Sequence, residues 1–246
     1  MRALWLLTLL TLAVSVSACR GVLKKEYEYE EELYLDLDGS ATLYVNASVP
    51  ALVALRGADL DVNPRARFDR ERVRAIFEGP HVEVSTPTSS RRNGRRFVHV
   101  RVRAASVSDL QKLAVFSWSS YRLTRGDEAL SFEQVIGAPV GRAVGDVGWT
   151  GAELVAFRMH LPSRITFHNA AGGVRRGNIL EWEQPLRERL KGTPIEIEAH
   201  IETQSILART LLLFLSTIVA AAMAFASILW WITRKGRPSD MAESRP

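Results

Sequence analysis

The chain has 246 residues, a formal charge of +5 carried mostly by arginine, and one cysteine. Its apolar content is sufficient for a buried core in one or two domains. A single thiol excludes an internal disulfide framework and a multi-cysteine zinc site, and so mild a basic charge is not the dense footprint of nucleic-acid binding.

At the N-terminus Met1-Arg2 precedes A-L-W-L-L-T-L-L-T-L-A-V. A positive start followed by an apolar run too short to span a bilayer reads as a signal peptide over 1–18. The next residues, Val16-Ser17-Ala18-Cys19, resemble the lipobox of bacterial lipoproteins. That resemblance implies cleavage before Cys19 and a diacylglyceryl group on its sulfur, leaving 19–25 as a lipidated linker. Plain cleavage after Ala18 and a buried core cysteine are the alternatives. Cys19 lies outside any periodic element, which speaks against the second.

Residues 26–204 read as an extracytoplasmic α+β domain, rich in antiparallel strands, with two short helices. Leu33, Leu35 and Leu37 alternate with polar residues up to Asp38-Gly39, a hairpin turn pair, and Leu43, Val45, Ala47 and Val49 alternate on the return. Asp69 can cap a helix that places Val73, Ile76 and Phe77 on one face. Strands are expected around 81–86 and 95–103, joined by S-S-R-R-N-G. Ser106 or Ser108 can cap a second helix with Leu110, Leu113 and Ala114 on its stripe, before a strand over 117–123. This order admits a ferredoxin-like βαββαβ part. Further strands are expected over 130–136, 153–161, 164–168, 178–182 and 194–203. The glycine-rich stretch 137–151 lacks the Lys-Ser/Thr pair of a phosphate loop, and reads as a long mobile connection between two halves of the domain.

From Thr210 to Ile232 the chain carries no charge. A helix of that length reaches about 34 Å against a hydrocarbon core of about 30 Å. Trp230 and Trp231 suit the interface, and Arg234, Lys235 and Arg237 follow. One arginine, Arg209, precedes the helix, with Glu196, Glu198 and Glu202 upstream. The expectation is a single-pass transmembrane helix over 205–233 in a bacterial cytoplasmic membrane, with the basic tail 234–246 in the cytoplasm. Ser216, Ala220 and Ala224 form a small-residue row of the kind that also occurs as plain filler.

The lipobox, β-rich domain, single C-terminal helix and basic tail together resemble the LppM-type bacterial envelope lipoproteins. Local similarity lies in D-L-D-G-S at Asp36–Ser40, L-P-S-R-I-T-F-H-N at Leu161–Asn169 and G-N-I-L-E-W at Gly177–Trp182. The resemblance implies an envelope protein whose β-rich domain binds lipid, and it brings no catalytic motif with it.

No side-chain pattern announces chemistry, and no catalytic residue, metal ligand or cofactor is expected. His99, His160 and His200 fall on polar strand faces; His81 and His168 complete the set, without metal-ligand spacing. No G-x-S-x-G occurs. Glu28, Glu30, Glu31 and Glu32 read as charges guarding a strand edge. Arg91, Arg92, Arg95 and Arg96 cluster on one hairpin, and Arg65, Arg67, Arg70, Arg72 and Arg74 line the first helix. Close to a bilayer such patches can grip anionic headgroups, so the four hairpin arginines are the candidate contacts; a merely solvated face is the plainer reading. Three functions stand open: a non-catalytic anchored module that binds membrane lipid or another envelope component, a scaffold for a membrane-protein partner, and a hydrolase with an unrecognised site. Nucleic acid is not an expected partner, and the sequence does not fix an oligomeric state.

Overall fold

The computed structural model describes residues 25–127 and 129–235. The expected signal peptide, Cys19 and most of the basic tail lie outside them. The α+β expectation holds: two sheets close around one core, and a long apolar helix follows.

The first sheet holds β1 (Tyr27–Leu35), β2 (Ala41–Ser48), β3 (Val82–Val84), β4 (Thr88–Arg92), β5 (Arg95–Ala104), β8 (Leu154–His160) and β10 (Ile179–Pro185), in the order β10-β8-β1-β2-β5-β3, with β4 also paired to β5. The second runs β6 (Ser119–Arg125), β7 (Ala129–Ile136), β11 (Ile195–Ser205), β9 (Ser163–His168). Pairing is antiparallel except for β1 against β8. The ferredoxin-like expectation is corrected here. β6 pairs with β7 in the second sheet, so the six elements do not close into one split βαβ unit.

Alternation along β1, β2 and β11 decides which residues face inward. Leu33, Leu43, Val45, Ile197, Ala199 and Ile201 are all buried in the shared core. The Asp38-Gly39 turn forms as expected. Gly39 has φ +91°, and the Asp38 carboxylate accepts from the Ser40 amide at 2.9 Å.

Two helical expectations differ. Helix α1 (Val49–Arg56) follows β2 directly, and all eight of its residues are buried. A helix covered on every side shows no amphipathic period, so V-P-A-L-V-A-L-R reads as the end of a strand. Its ends nevertheless carry ordinary signals. Ser48 accepts from the Ala51 amide at 3.1 Å, Pro50 sits in the first turn, and Gly57 closes it in the left-handed region at φ +69°. Helix α2 (Arg70–Phe77) is the one expected after Asp69, whose carboxylate accepts from the Arg72 amide at 3.0 Å. The second expected helix is instead a pair of 3₁₀ turns, Val107–Lys112 and Ala114–Phe116. Ser106 spends its hydroxyl on Ser108 rather than on a cap.

The stretch 137–151 does connect the two sheets, but it is fastened along its length. Val140 and Arg142 donate to Leu55 and Val53 carbonyls of α1 at 3.2 and 3.4 Å, and Trp149 Nε1 donates to Glu28 at 2.9 Å. After the short α3 (Leu186–Leu190) and β11, helix α4 (Ile206–Lys235) contains Thr210–Arg234, a stretch long and apolar enough to cross a membrane. None of its most apolar window is covered by the rest of the protein.

Candidate functional site

The charges of β1 do not guard an edge. β1 lies between β8 and β2, and two of its carboxylates are internal. Glu31 shares the inward parity of Tyr29 and Leu33, and it ion-pairs with the fully buried Arg56 of α1. Arg56 also donates from Nε to Tyr29 Oη at 2.9 Å and from Nη1 to the Val115 carbonyl at 3.0 Å, and lies 3.8 Å from the Trp118 ring centre. Burial pulls the Arg56 guanidinium down to about 10, still charged at neutral pH, and pushes the Tyr121 hydroxyl above it up to about 12. This group ties α1 to both sheets. It reaches no cleft described below and reads as structural.

The second internal carboxylate governs the hairpin arginines. Arg95, one of the four expected headgroup contacts, turns inward. It is 6% exposed, pairs with Glu28 at 2.8 Å and donates to the Gly148 carbonyl at 3.0 Å. Arg92 reaches the Tyr27 carbonyl and lies 4.2 Å from the Phe97 ring centre. Arg91 and Arg96 each donate to the Pro64 carbonyl at 3.0 Å, and Arg96 also reaches the Ala66 carbonyl. The hairpin therefore braces the loop that precedes α2.

That loop is itself locally folded. Asp61 accepts from the Asn63 amide at 2.9 Å, and Asn63 accepts from the Arg65 amide at 3.0 Å. Bracing brings together the two arginine groups that are separate in sequence. Two adjoining clefts of about 690 and 450 Å³ share Ala66, Arg67, Phe68 and Arg96. Together they are lined by Arg65, Arg67, Arg70, Arg72, Arg91 and Arg96, against Asp61, Asp69 and Glu71. Asp69 is engaged as the α2 cap and Arg72 is paired with Asp59 at 2.5 Å. Among the described residues Arg65, Arg67 and Arg70 have no carboxylate partner, and all three are exposed. Arg74, expected on the same line, pairs with Glu78 at 2.8 Å instead. The result is a groove in which six arginines outnumber three carboxylates, and Arg65, Arg67 and Arg70, without an ion pair, stand outside the expected contact set. Their signal in the sequence was the close run of arginines at 65, 67, 70 and 72; what it lacked was the hairpin that folds over them.

The histidines occupy the polar faces that alternation gives them. His160 Nε2 lies 2.6 Å from Glu32 and its ring stacks on Tyr34 at 3.9 Å, while His200 lies 3.0 Å from Glu198. His99 joins a chain on the outer face of the first sheet. Ser90 Oγ is 2.9 Å from His99 Nε2, and His99 Nδ1 is 2.9 Å from Asn46 Oδ1. One neutral tautomer satisfies both contacts. Burial, then the nearby Arg92 charge, hold His99 below the usual histidine range. No group of three or more His, Cys, Asp or Glu side chains among the described residues is arranged to hold a metal ion.

No protein-family model matches the chain, and no curated protein matches it. Among solved structures, the NMR structure of the folded domain of the Mycobacterium tuberculosis protein LppM aligns over 74% of this chain and 94% of that one, at 11% identity and a TM-score of 0.42. So distant a likeness carries no inference about function, which is read from the chain's own residues.

Proposed function

We propose that this is a non-catalytic, membrane-anchored envelope lipoprotein. Its folded domain faces outward and holds an anionic lipid headgroup, or a similarly acidic envelope component, in the arginine groove. The observation that carries this is the convergence of Arg65, Arg67 and Arg70, without carboxylate partners, on a cleft walled by Arg91 and Arg96. Helix α4 supplies one anchor, with the basic residues after it on the cytoplasmic side. Cys19, acylated, supplies the other. At about 1 kcal/mol per arginine near an anionic surface, the three unpaired arginines contribute at most about two orders of magnitude in affinity, reduced by Asp61 and Glu71 on the same cleft. Native mass spectrometry of the full chain in detergent, titrated with phosphatidylglycerol and with phosphatidylcholine, tests this. The expected result is retention of the anionic lipid alone, lost in an Arg65→Ala/Arg67→Ala/Arg70→Ala variant. Equal retention of both lipids, or an unaffected variant, overturns it.

A hydrolytic reading draws on one observation, the Ser90–His99–Asn46 chain beside a shallow cleft that His99 and Asn46 help to line. A neutral His99 is placed to take the Ser90 proton. A fluorophosphonate probe separates the readings: covalent label on Ser90, absent in Ser90→Ala, favours hydrolysis, and an unlabelled full chain leaves headgroup binding.

A further inference from the structure

The chain enters and leaves the folded domain at opposite poles. Strand β11 runs into α4, and its last residue, Ser205, pairs with Ser163 at the start of β9. Only Leu161 and Pro162 separate β9 from His160 at the end of β8, which pairs with Tyr34 near the end of β1. Arg125, at the end of β6, donates to the Leu37 carbonyl in the β1–β2 turn. The end of β1 therefore lies at the pole from which α4 departs. The start of β1 lies at the other: the Leu154 amide, at the start of β8, donates to the Glu26 carbonyl at 2.7 Å, and Arg92 of the β4–β5 hairpin reaches Tyr27. Strand β5, which carries the hairpin, is two places from β1, about 10 Å away.

These positions conflict with an upright domain. β1 has nine residues, so the poles are about 27 Å apart along it. Four residues of α4 precede the apolar stretch and add about 6 Å. With strands along the membrane normal, Lys25 would stand about 33 Å above the bilayer. Cys19 is six residues before Lys25, and six extended residues reach about 21 Å. Both anchors can sit in one bilayer only if the strands lean at least about 55° from the normal.

We infer that the domain lies over onto its own membrane, with the β4–β5 hairpin pole and the arginine groove brought down to the headgroups. This rests on the acylation of Cys19 proposed above. Charge fixes the roll. The outer face of the second sheet carries Glu133, Glu196, Glu198 and Glu202 against Arg122, paired with Glu133, and Arg164, paired with Glu202; its balance is acidic, an anionic surface repels it, and that face turns to the aqueous side. The groove then reads lipid of the bilayer that α4 crosses.

The test uses the full chain in phosphatidylglycerol-containing vesicles, with acylation of Cys19 verified by intact mass. A dye on Ser89→Cys, on β4 of the hairpin at the edge of the groove, transfers energy to acceptors on the lipid headgroups. A dye on Asp127→Cys, at the α4 pole, is the internal reference. Strong transfer from Ser89→Cys is expected, falling several-fold in a Cys19→Ala background, with Asp127→Cys unchanged. Weak transfer from Ser89→Cys in verified acylated chain overturns the leaning domain while leaving the double anchor standing. An unmodified Cys19 in the mass spectrum removes the anchor and the inference together.

Discussion

The pair formed by Glu31 and Arg56 is nearly dry, with side chains 4% and 0% exposed, so the two charges depend on each other. Removing one leaves the other buried without a counter-ion, at a cost of about 3–5 kcal/mol. Glu31→Gln is therefore expected to lower stability by about that amount in chemical denaturation, whereas Arg158→Gln, at a half-buried pair with Glu30 and Glu181, is expected to cost clearly less. Equal losses would contradict the ranking. Glu31 was legible in part. It lies on the parity of Leu33 and Leu35, which are inward residues, and only its position within an acidic run directed attention to solvent. Glu28 was not legible, because a register shift between Tyr27 and Tyr29 breaks the alternation there and turns two successive residues inward.

Among the elements, the buried α1 depends on the connection packed across it. A Cβ on Gly141 would fall 2.0 Å from the Val53 carbonyl oxygen and 2.3 Å from that of Ala54, both backbone atoms that cannot swing aside. Gly141→Ala is thus expected to push the connection off α1 and lower Tm by several degrees, consistent with an overpacking cost of about 1–3 kcal/mol. Gly172→Ala, with open space around its Cβ position, is the matched control and is expected to leave Tm within a degree or two. The strands with one wet face were legible, since alternation is a direct record of one-sided burial. The 3₁₀ turns after β5 and the all-buried helix were not: the first has the spacing of a helix without its length, and the second has length without spacing.

For the whole molecule, several groups share one direction of proton linkage. Burial raises Glu183 and Glu153, but hydrogen bonds outweigh it. Those from Lys25 and Tyr27 hold Glu183 below the usual carboxylate range, and those from the Thr150 and Gly151 amides hold Glu153 there. A Ser40 hydrogen bond does the same for Asp38, and a Lys112 hydrogen bond for Asp109. In each case the unfolded chain binds a proton at a higher pH than the folded one, so stability is present above the unfolded pKa and is lost as pH falls through the folded value. His99 is depressed too, and the same sign applies, with its step beginning near the ordinary histidine value of 6.5. Denaturation midpoints are expected to be level from about pH 7 up to the onset of tyrosine and lysine titration, to decline slightly below about 6.5 and to fall further below about 4.5. His99→Gln should abolish the first step and keep the second; a midpoint that rises on acidification would contradict the assignment. At this scale the apolar helix and the α+β class were readable from composition and period. The groove was not, because its two walls are about 25 residues apart and meet through guanidinium contacts with backbone carbonyls and with the Phe68 ring.

Polar separation of the chain ends also sets how the domain meets mechanical tension. A pull between residue 25 and α4 runs along β1 and β11 rather than across them. The rungs joining β1 to β8 and β2, and β11 to β7 and β9, then take the strain in shear and must yield together instead of unzipping singly. A fold strung end to end in this way resists a pull between its two ends more than a pull across its strands.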